Sequence, residues 1–351
     1  MEEDTDSISI VILNFNSGNL LTDCVDSILK STYKNFEIIV VDNDSKDHSQ
    51  EKCKKKFKEI KLIQNKVNFG YCEGNNIGIR QAKGEFIVIL NPDTTVDANW
   101  LIELLKGFKK FGEGLYQPKL LTMDNHKIIG SAGNMINIFG FGYSRGRGEE
   151  DNGQYDKDEQ ISYASGTCLF TSRKILEKIG LLDSFLFAYH DDLELGWRGI
   201  ELGIKSFYVP KSIVYHAESF NFKWSSFKFY LLEKNRKYCL QIHYSKTTYQ
   251  KIRLELFLID MVVWIFYISK GMLGAKIKAD YTILKNRKNI HQKYDEIQEN
   301  KTIEDAQIIE FFNDFIEMPK VMSKVGDSSM FQKFISKLSK NARRKIAKIS
   351  K

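Results

Sequence analysis

The 351-residue chain carries a net charge of +7 and 42% hydrophobic residues, enough for a substantial core in one large or two smaller domains, which excludes disorder as the default state. Its five cysteines, Cys24, Cys53, Cys72, Cys168 and Cys239, are scattered without a CxxC pair; this argues against a cysteine-built metal centre and for reduced thiols in a cytosolic protein. The opening "MEEDTDSISIVIL" lacks the basic region and small-residue cleavage site of a signal peptide, so no export is expected.

Ile8 to Leu13 is a short β-rich run, followed by Asn14, Asn16, Ser17 and Gly18 and then by Leu20, Leu21, Cys24, Val25, Ile28 and Leu29 at helical spacing; this predicts strand, turn, helix. Glu37 to Val41 ends in "DNDS", and Lys61 to Gln64 gives a third strand before "NKVNFGYCEGNN". A helix is expected through Ile77 to Ala82. Phe86 to Leu90 then runs into "NPDTT", where Pro92, without a backbone donor, helps to end the strand. Alternating strands and helices predict an α/β sheet, mostly parallel and covered on both faces. In such sheets the polar residues beyond the carboxyl ends of the strands line the ligand crevice. Asn14, Asp42, Asn68 and Asp93 hold such positions; each alone reads as a turn residue or helix cap, and the four together as a site.

Tyr116 to Tyr163 is glycine-rich and poor in regular pattern, notably "FGFGYSRGRGEEDNGQYD", which predicts a long functional or disordered loop. Pattern returns with "YASGTCLFTS", a helical "RKILEKIG", "LFAYHDDLELGWRGIELGI" and a last strand "SFYVPKSIVYH", placing the end of a first domain near Phe220. Lys223 to His243 reads as helix. Leu254 to Leu273 is strongly apolar but broken by Glu255, Asp260 and Lys270, and its longest uncharged run, Met261 to Ser269, falls short of the roughly 20 residues a membrane span needs. A buried or in-plane helix is expected there. No internal repeat is found.

Leu193, Trp197, Ile200 and Ile204 recur with helical period, so Asp191 and Asp192 fall at a helix start. Two readings stay open: an N-cap favoured by the helix dipole, or one carboxylate facing the crevice as general base while the other, or Glu194, holds the local geometry.

"VILNFNSGNLLTDCVDSIL", "NFEIIVVDNDSKD", "NFGYCEGNNIGIRQAKGEFIVILNPDT", "RGRGEEDNGQYD", "YASGTCLFTSRKILEKIGLLD", "FAYHDDLELGWR" and "YVPKSIVYH" follow one another in an order that resembles family 2 glycosyltransferases, with the rhamnosyltransferase-like branch closest, over about Ile8 to Asn235. The resemblance implies a GT-A fold, an α/β Rossmann-like mixed sheet with helices on both faces, in residues 1–220: a nucleotide-binding half of about 1–115 and an acceptor half of about 116–220. A helical C-terminal region, 221–351, would follow. The implied reaction is inverting transfer of a sugar from a nucleotide diphosphate sugar to an acceptor hydroxyl, in cell-surface polysaccharide, glycolipid or glycoprotein glycan assembly. Mg²⁺ or Mn²⁺ is implied on the diphosphate, because a hard divalent cation offsets the charge that builds on the leaving group.

Matched position by position, Asp93 takes the place of the last acid of the family's DXD motif, with Asn91 and Pro92 where the first acid and the middle residue stand. The implied metal is then held jointly by Asp93, His216 and the donor. Asp42 matches the acid on the nucleotide base or ribose, and Asn14, Asn16, Asn68 and Asn75 line the same pocket. The ED-x-D pattern falls on Asp191-Asp192-Leu193-Glu194, which puts the general base on Asp192 and leaves Asp191 and Glu194 in support. Ser165, Gly166 and Trp197 fall on the acceptor side. Arg145 and Arg147, in a loop that otherwise reads as solvated and mobile, would meet phosphate by charge-assisted hydrogen bonds.

The last 21 residues, Phe331 to Lys351, carry eight Lys or Arg and no acid. Phe331, Phe334, Ile335, Leu338, Ile346 and Ile349 share one helical face, the pattern of an in-plane helix on an anionic membrane or of a solvated basic helix. The first reading suits peripheral contact with the cytoplasmic face of a membrane and a glycan or lipid-linked acceptor. The rival to an enzyme is a non-catalytic nucleotide-sugar or polysaccharide-binding module with a decayed site, which Asn91 suggests. Nucleic acid is not an expected partner, since the positive charge is terminal and no recognition motif accompanies it.

Overall fold

A computed structural model describes residues 6–217, 225–317 and 328–349, the side chains of 328–331 excepted. The domain end expected near Phe220 and the extremities of the basic tail lie outside the described residues. The chain forms two compact units, 1–134 with 144–196 and 204–219, and 135–143 with 197–203 and 220–351.

The strands are β1 (Ile8–Asn14), β2 (Phe36–Asp42), β3 (Lys61–Gln64), β4 (Phe86–Leu90), β5 (Thr94–Val96), β6 (Gly114–Thr122), β7 (Ile129–Ser131), β8 (Asn134–Ile136), β9 (Gly142–Ser144), β10 (Glu159–Ile161), β11 (Cys168–Ser172) and β12 (Lys205–His216). The first helices are α1 (Leu20–Leu29), α2 (Ser49–Lys56), α3 (Gly70–Gln81), α4 (Trp100–Phe111), α5 (Arg173–Ile179) and α6 (Asp191–Glu201).

The main sheet runs β10-β12-β6-β11-β4-β1-β2-β3, with β5 added to β12 and β7 to β6. The parallel expectation holds across β3, β2, β1 and β4 and for β6 on β12. It fails at β11, which enters antiparallel between β4 and β6, so the sheet is mixed. Every residue of β1 and β4 is buried, as a sheet covered on both faces requires. Ile10, Ile12, Val40, Val88, Leu90, Trp100, Leu104, Tyr116 and Phe170 build one core. On the opposite face α3 lies close, because Gly74 and Gly78 leave room for Leu13 and Val11. The segment Tyr116 to Tyr163, expected to be a long loop, instead contains β6 to β10. β7 to β10 are three residues each, one or two side chains per face, too few to leave a period in sequence.

The second unit is helical: α7 (Ser226–His243), α8 (Lys246–Lys251), α9 (Arg253–Ser269), α10 (Leu273–Lys285), α11 (Arg287–Asn300), α12 (Asp305–Ile308) and α13 (Ser328–Ile346). Its interior holds a charged hub in which Lys276 Nζ, fully buried, lies 2.8 Å from Glu233, 2.7 Å from Asp260 and 3.2 Å from Asp280. Glu233 is also paired with Arg236 at 2.8 Å, so the three acids are neutralised internally. Among the described residues, no helix is long and apolar enough to cross a membrane. The basic tail differs from expectation: Ile335, Leu338, Ala342 and Ile346 of α13 are buried, and Arg343 donates to the carbonyls of Ile309 and Phe312 and to Asp314. An amphipathic pattern cannot say which partner covers its apolar face, and here the unit itself does. All five cysteines are buried and none forms a disulfide.

Candidate active site

Strands β1, β2, β4, β6 and β12 all run one way, so their carboxyl ends share one edge of the sheet. Asn14 and Asp42 end β1 and β2 in register. Asn14 is fully buried and donates from Nδ2 to Asp42 (2.7 Å), Ser45 (3.0 Å) and Ser49 (2.8 Å), while its Oδ1 has no hydrogen-bond partner. The other oxygen of Asp42 accepts from Ser45 N at 3.1 Å. Asn16, at φ 53°, bonds the backbone of Lys46 and shapes the turn beside them. Asn68 accepts from Gly70 N at 2.8 Å and from Asn43 at 3.2 Å, fixing the entry to α3. Asn75 is buried on α3, donates to Tyr71 O at 2.9 Å and leaves its Oδ1 without a hydrogen bond.

Asp93 and His216 are distant in sequence and meet because β5 pairs with the end of β12, Thr94 opposite His216. The Ala217 N–H donates to Asp93 O at 2.9 Å and closes the pair. His216 Nε2 lies 3.3 Å from the buried Asp93 Oδ1. Burial works to raise the Asp93 carboxyl, but the imidazole more than offsets it and the group sits below the usual carboxylate range. Two cis ligands at about 2.1 Å from one ion lie about 3 Å apart, so this pair fits two positions of a divalent coordination sphere. Among the described residues no third His, Cys, Asp or Glu joins them, which leaves the remaining positions to oxygen atoms from elsewhere.

β11 runs antiparallel and starts where β4 ends, Cys168 opposite Leu90, so Ser165, Gly166 and Thr167 lie at the same edge. Thr167 O accepts from Asn91 N at 2.9 Å. Here the acidic motif is held. Asp192 Oδ2 accepts from Gly166 N at 3.0 Å and Oδ1 from its neighbour Leu193 N at 2.8 Å. Gly166 O in turn accepts from Tyr71 Oη at 2.5 Å. A Cβ at Gly166 would stand 3.0 Å from Tyr71 Oη and 3.3 Å from Asp191 Oδ2, so any larger residue would press on both side chains. Asp191 and Glu194 are buried, and Asp192 alone of the three keeps partial solvent access. Burial and the neighbouring Asp192 charge push the Asp191 carboxyl well above the usual range; burial also raises Asp192, against the two backbone donors.

The loop before α6 is strained. Phe187, Tyr189 and His190 have φ of 68°, 65° and 61°, a region costly to non-glycine residues and common at functional sites. Phe187 O accepts from Tyr71 N (2.6 Å) and Cys72 N (3.1 Å), tying the loop to the first turn of α3.

Arg145 is engaged within the protein: it pairs with Glu159, donates to Ala132 O and packs over the Tyr155 and Tyr208 rings. Arg147 is half-buried nearby. Ser165 is buried, with its N–H donating to Gln117 at 2.9 Å. Trp197, expected on the acceptor side, is instead fully buried in the helical unit, its ring 4.8 Å from His243, 5.0 Å from Tyr244 and 4.7 Å from Phe312. The helical period that places Asp192 at the start of α6 puts Trp197 on its core face. Two residues escaped sequence reasoning: Tyr71, inside "NFGYCEGNN", and the fully buried Gln117 of β6.

Residues 9–180 match the family described as Glycosyl transferase family 2. The chain is 40% identical over 101 residues to the glycosyltransferase GlyG of Streptococcus pneumoniae, covering 28% of this chain and 33% of that protein. It is 26% identical over 201 residues to the low-salt glycan biosynthesis hexosyltransferase Agl10 of Haloferax volcanii, covering 55% of this chain and 61% of that protein. The match thus spans about a third and about three-fifths of these two relatives. Among solved structures, GalNAc-T7 with UDP, GalNAc and Mn²⁺ superposes with a TM-score of 0.60 at 20% identity, over 73% of this chain and 52% of that one. That likeness establishes a GT-A-like fold, the mixed sheet with helices followed by a helical region, and it agrees with the resemblance of residues 9–180 to glycosyl transferase family 2.

Proposed function

We propose that the protein is an inverting glycosyltransferase that moves a hexosyl or rhamnosyl group from a nucleotide diphosphate sugar to an acceptor hydroxyl in polysaccharide or other glycan assembly. The observation that carries this reading is the placement of Asp192. It is the one acid of its motif open to solvent, and it is held by Gly166 at the sheet edge where Asp42, Asp93 and His216 also lie. Asp192 takes the proton from the acceptor hydroxyl as that oxygen attacks the anomeric carbon, and burial, which raises the Asp191 carboxyl, disfavours a second charge beside it. Asp42, oriented by Asn14, receives the nucleoside. Asp93 and His216 would hold Mg²⁺ or Mn²⁺, which when bound offsets charge on the leaving diphosphate. A single displacement needs no protein nucleophile. The catalytic domain corresponds to residues 1–220 in this reading, with the donor half in about 1–115 and the acceptor half in about 116–220; glycan or lipid-linked acceptors are both compatible with it.

The reading is tested by a thermal-shift screen of nucleotide sugars with and without Mn²⁺, followed by an assay for nucleoside diphosphate release. A donor-dependent rise in melting temperature and release that Asp192→Asn abolishes are expected. No shift with any donor would overturn the reading. The rival, a binding module with a decayed site, is suggested by Asn91 in place of an acid; donor binding without release under all metal conditions would favour it.

A further inference from the structure

The apolar faces of α9 and α10 are uncovered, unlike that of α13. Leu254, Phe257, Met261, Ile265 and Ile268 recur along α9 on the side opposite the buried Ile259, Val263 and Tyr267, and Leu273, Ile277, Tyr281 and Leu284 recur along α10. These nine side chains are 41–69% exposed. The two helices are consecutive, separated by Lys270 to Met272, and pack against each other. Isolated exposed leucines are ordinary, but two adjoining helical stripes of large apolar groups mark an interaction surface.

The charges between Lys251 and Gln292 are sorted by sign. The segment contains three acids, and each is turned into the unit: Glu255 is buried against Lys345 at 2.7 Å, and Asp260 and Asp280 meet Lys237 at 2.9 and 2.6 Å as well as Lys276. Lys251, Arg253, Lys270, Lys278, Lys285 and Lys288 are exposed. The outer surface of this segment is therefore large apolar side chains and cations, with no exposed acid. From this we infer that α9 and α10 lie in the plane of a membrane that bears anionic lipid, their apolar stripes among the acyl chains and their cations at the headgroups. A second copy of the chain suits the surface poorly, because a two-fold contact would set cations against cations with no acid to meet them. This surface is distinct from the transfer site and from the basic tail. It would bring the protein to the layer where a lipid-linked acceptor is held.

The test is co-sedimentation of the full chain with vesicles of phosphatidylcholine alone or with phosphatidylglycerol added, in the absence of any sugar donor, so that it does not depend on the proposed reaction. Binding to the anionic vesicles only, weakened by salt, is expected. The variant Phe257→Gln/Ile265→Gln/Leu284→Gln should lose at least about tenfold in vesicle affinity, and Lys278→Gln/Lys285→Gln about fivefold per cation. All five positions are exposed, so melting temperatures should stay near that of the parent. Absence of binding to either vesicle would overturn the inference. So would self-association without lipid that the apolar variant abolishes, since the face would then belong to a second copy.

Discussion

Asp192→Asn and Asp191→Asn should behave very differently although the residues are adjacent. Asp192 receives two backbone N–H donors, from Gly166 at 3.0 Å and Leu193 at 2.8 Å. An asparagine retains one acceptor oxygen and turns its amide N–H₂ toward the other donor, which costs about 1–3 kcal/mol in stability. Against a total stability on the order of 5–15 kcal/mol, that leaves nearly all molecules folded. Loss of a general base removes roughly 10²- to 10⁴-fold in rate, so the rate must fall far more than folding can account for. Asp191 is the carboxyl that burial and its neighbour's charge push well above the usual range. A neutral amide resembles it, and Asp191→Asn should keep its rate within about fivefold of the parent, less than 1 kcal/mol of barrier. The assay is nucleoside diphosphate release under saturating donor and acceptor, alongside melting curves. An active Asp192→Asn beside a dead Asp191→Asn would refute the assignment of the base. The stability of Asp191→Asn adds a signed check. A carboxyl with a raised folded pKa contributes stability that is present below the ordinary carboxylate range and is lost as pH rises through the folded value. The variant should therefore match the parent near about pH 3 and become more stable than it as pH rises.

Asp93→Ala should abolish the increment that Mn²⁺ adds to the melting temperature in the presence of a nucleotide sugar, while the increment from the donor alone persists; an unchanged Mn²⁺ effect would remove Asp93 from the metal site. Gly70→Ala should cost roughly 2–4 kcal/mol, because the residue has φ of 82° and its Cβ would meet Phe187 Cδ2 at 2.5 Å and Phe187 O at 2.6 Å; the urea midpoint measures this. Lys276→Met should destabilise by roughly 3–5 kcal/mol by leaving buried acids under-neutralised, and Lys276→Met/Glu233→Gln should recover part of the loss in thermal melts. The acid limb of the rate profile should lie above the usual carboxylate range, since burial raises Asp192, and activity should fall as pH drops through it.

Sequence alone located β1, β2, β4 and the helix that starts at Asp191, because strand and helix periods are local properties of the chain. It also placed Asn14, Asp42 and Asp93 at strand ends, since apolar runs stop where polar residues leave the core. The ordered motifs pointed to the family. What the tertiary structure decided is what depends on pairing and cover. His216 reaches Asp93 only because a three-residue strand, β5, adds to the end of β12. Gly166 reaches Asp192 only because β11 enters antiparallel and starts at the edge where β4 stops. Nothing in "HDDLE" tells which acid keeps contact with water; burial around α6 settles it for Asp192. The same holds for the apolar stripes. The pattern leaves α9 as a buried or in-plane helix and marks α13 as amphipathic, but packing covers the stripe of α13 and leaves those of α9 and α10 open, because cover is a property of neighbours distant in sequence and not of the helix itself.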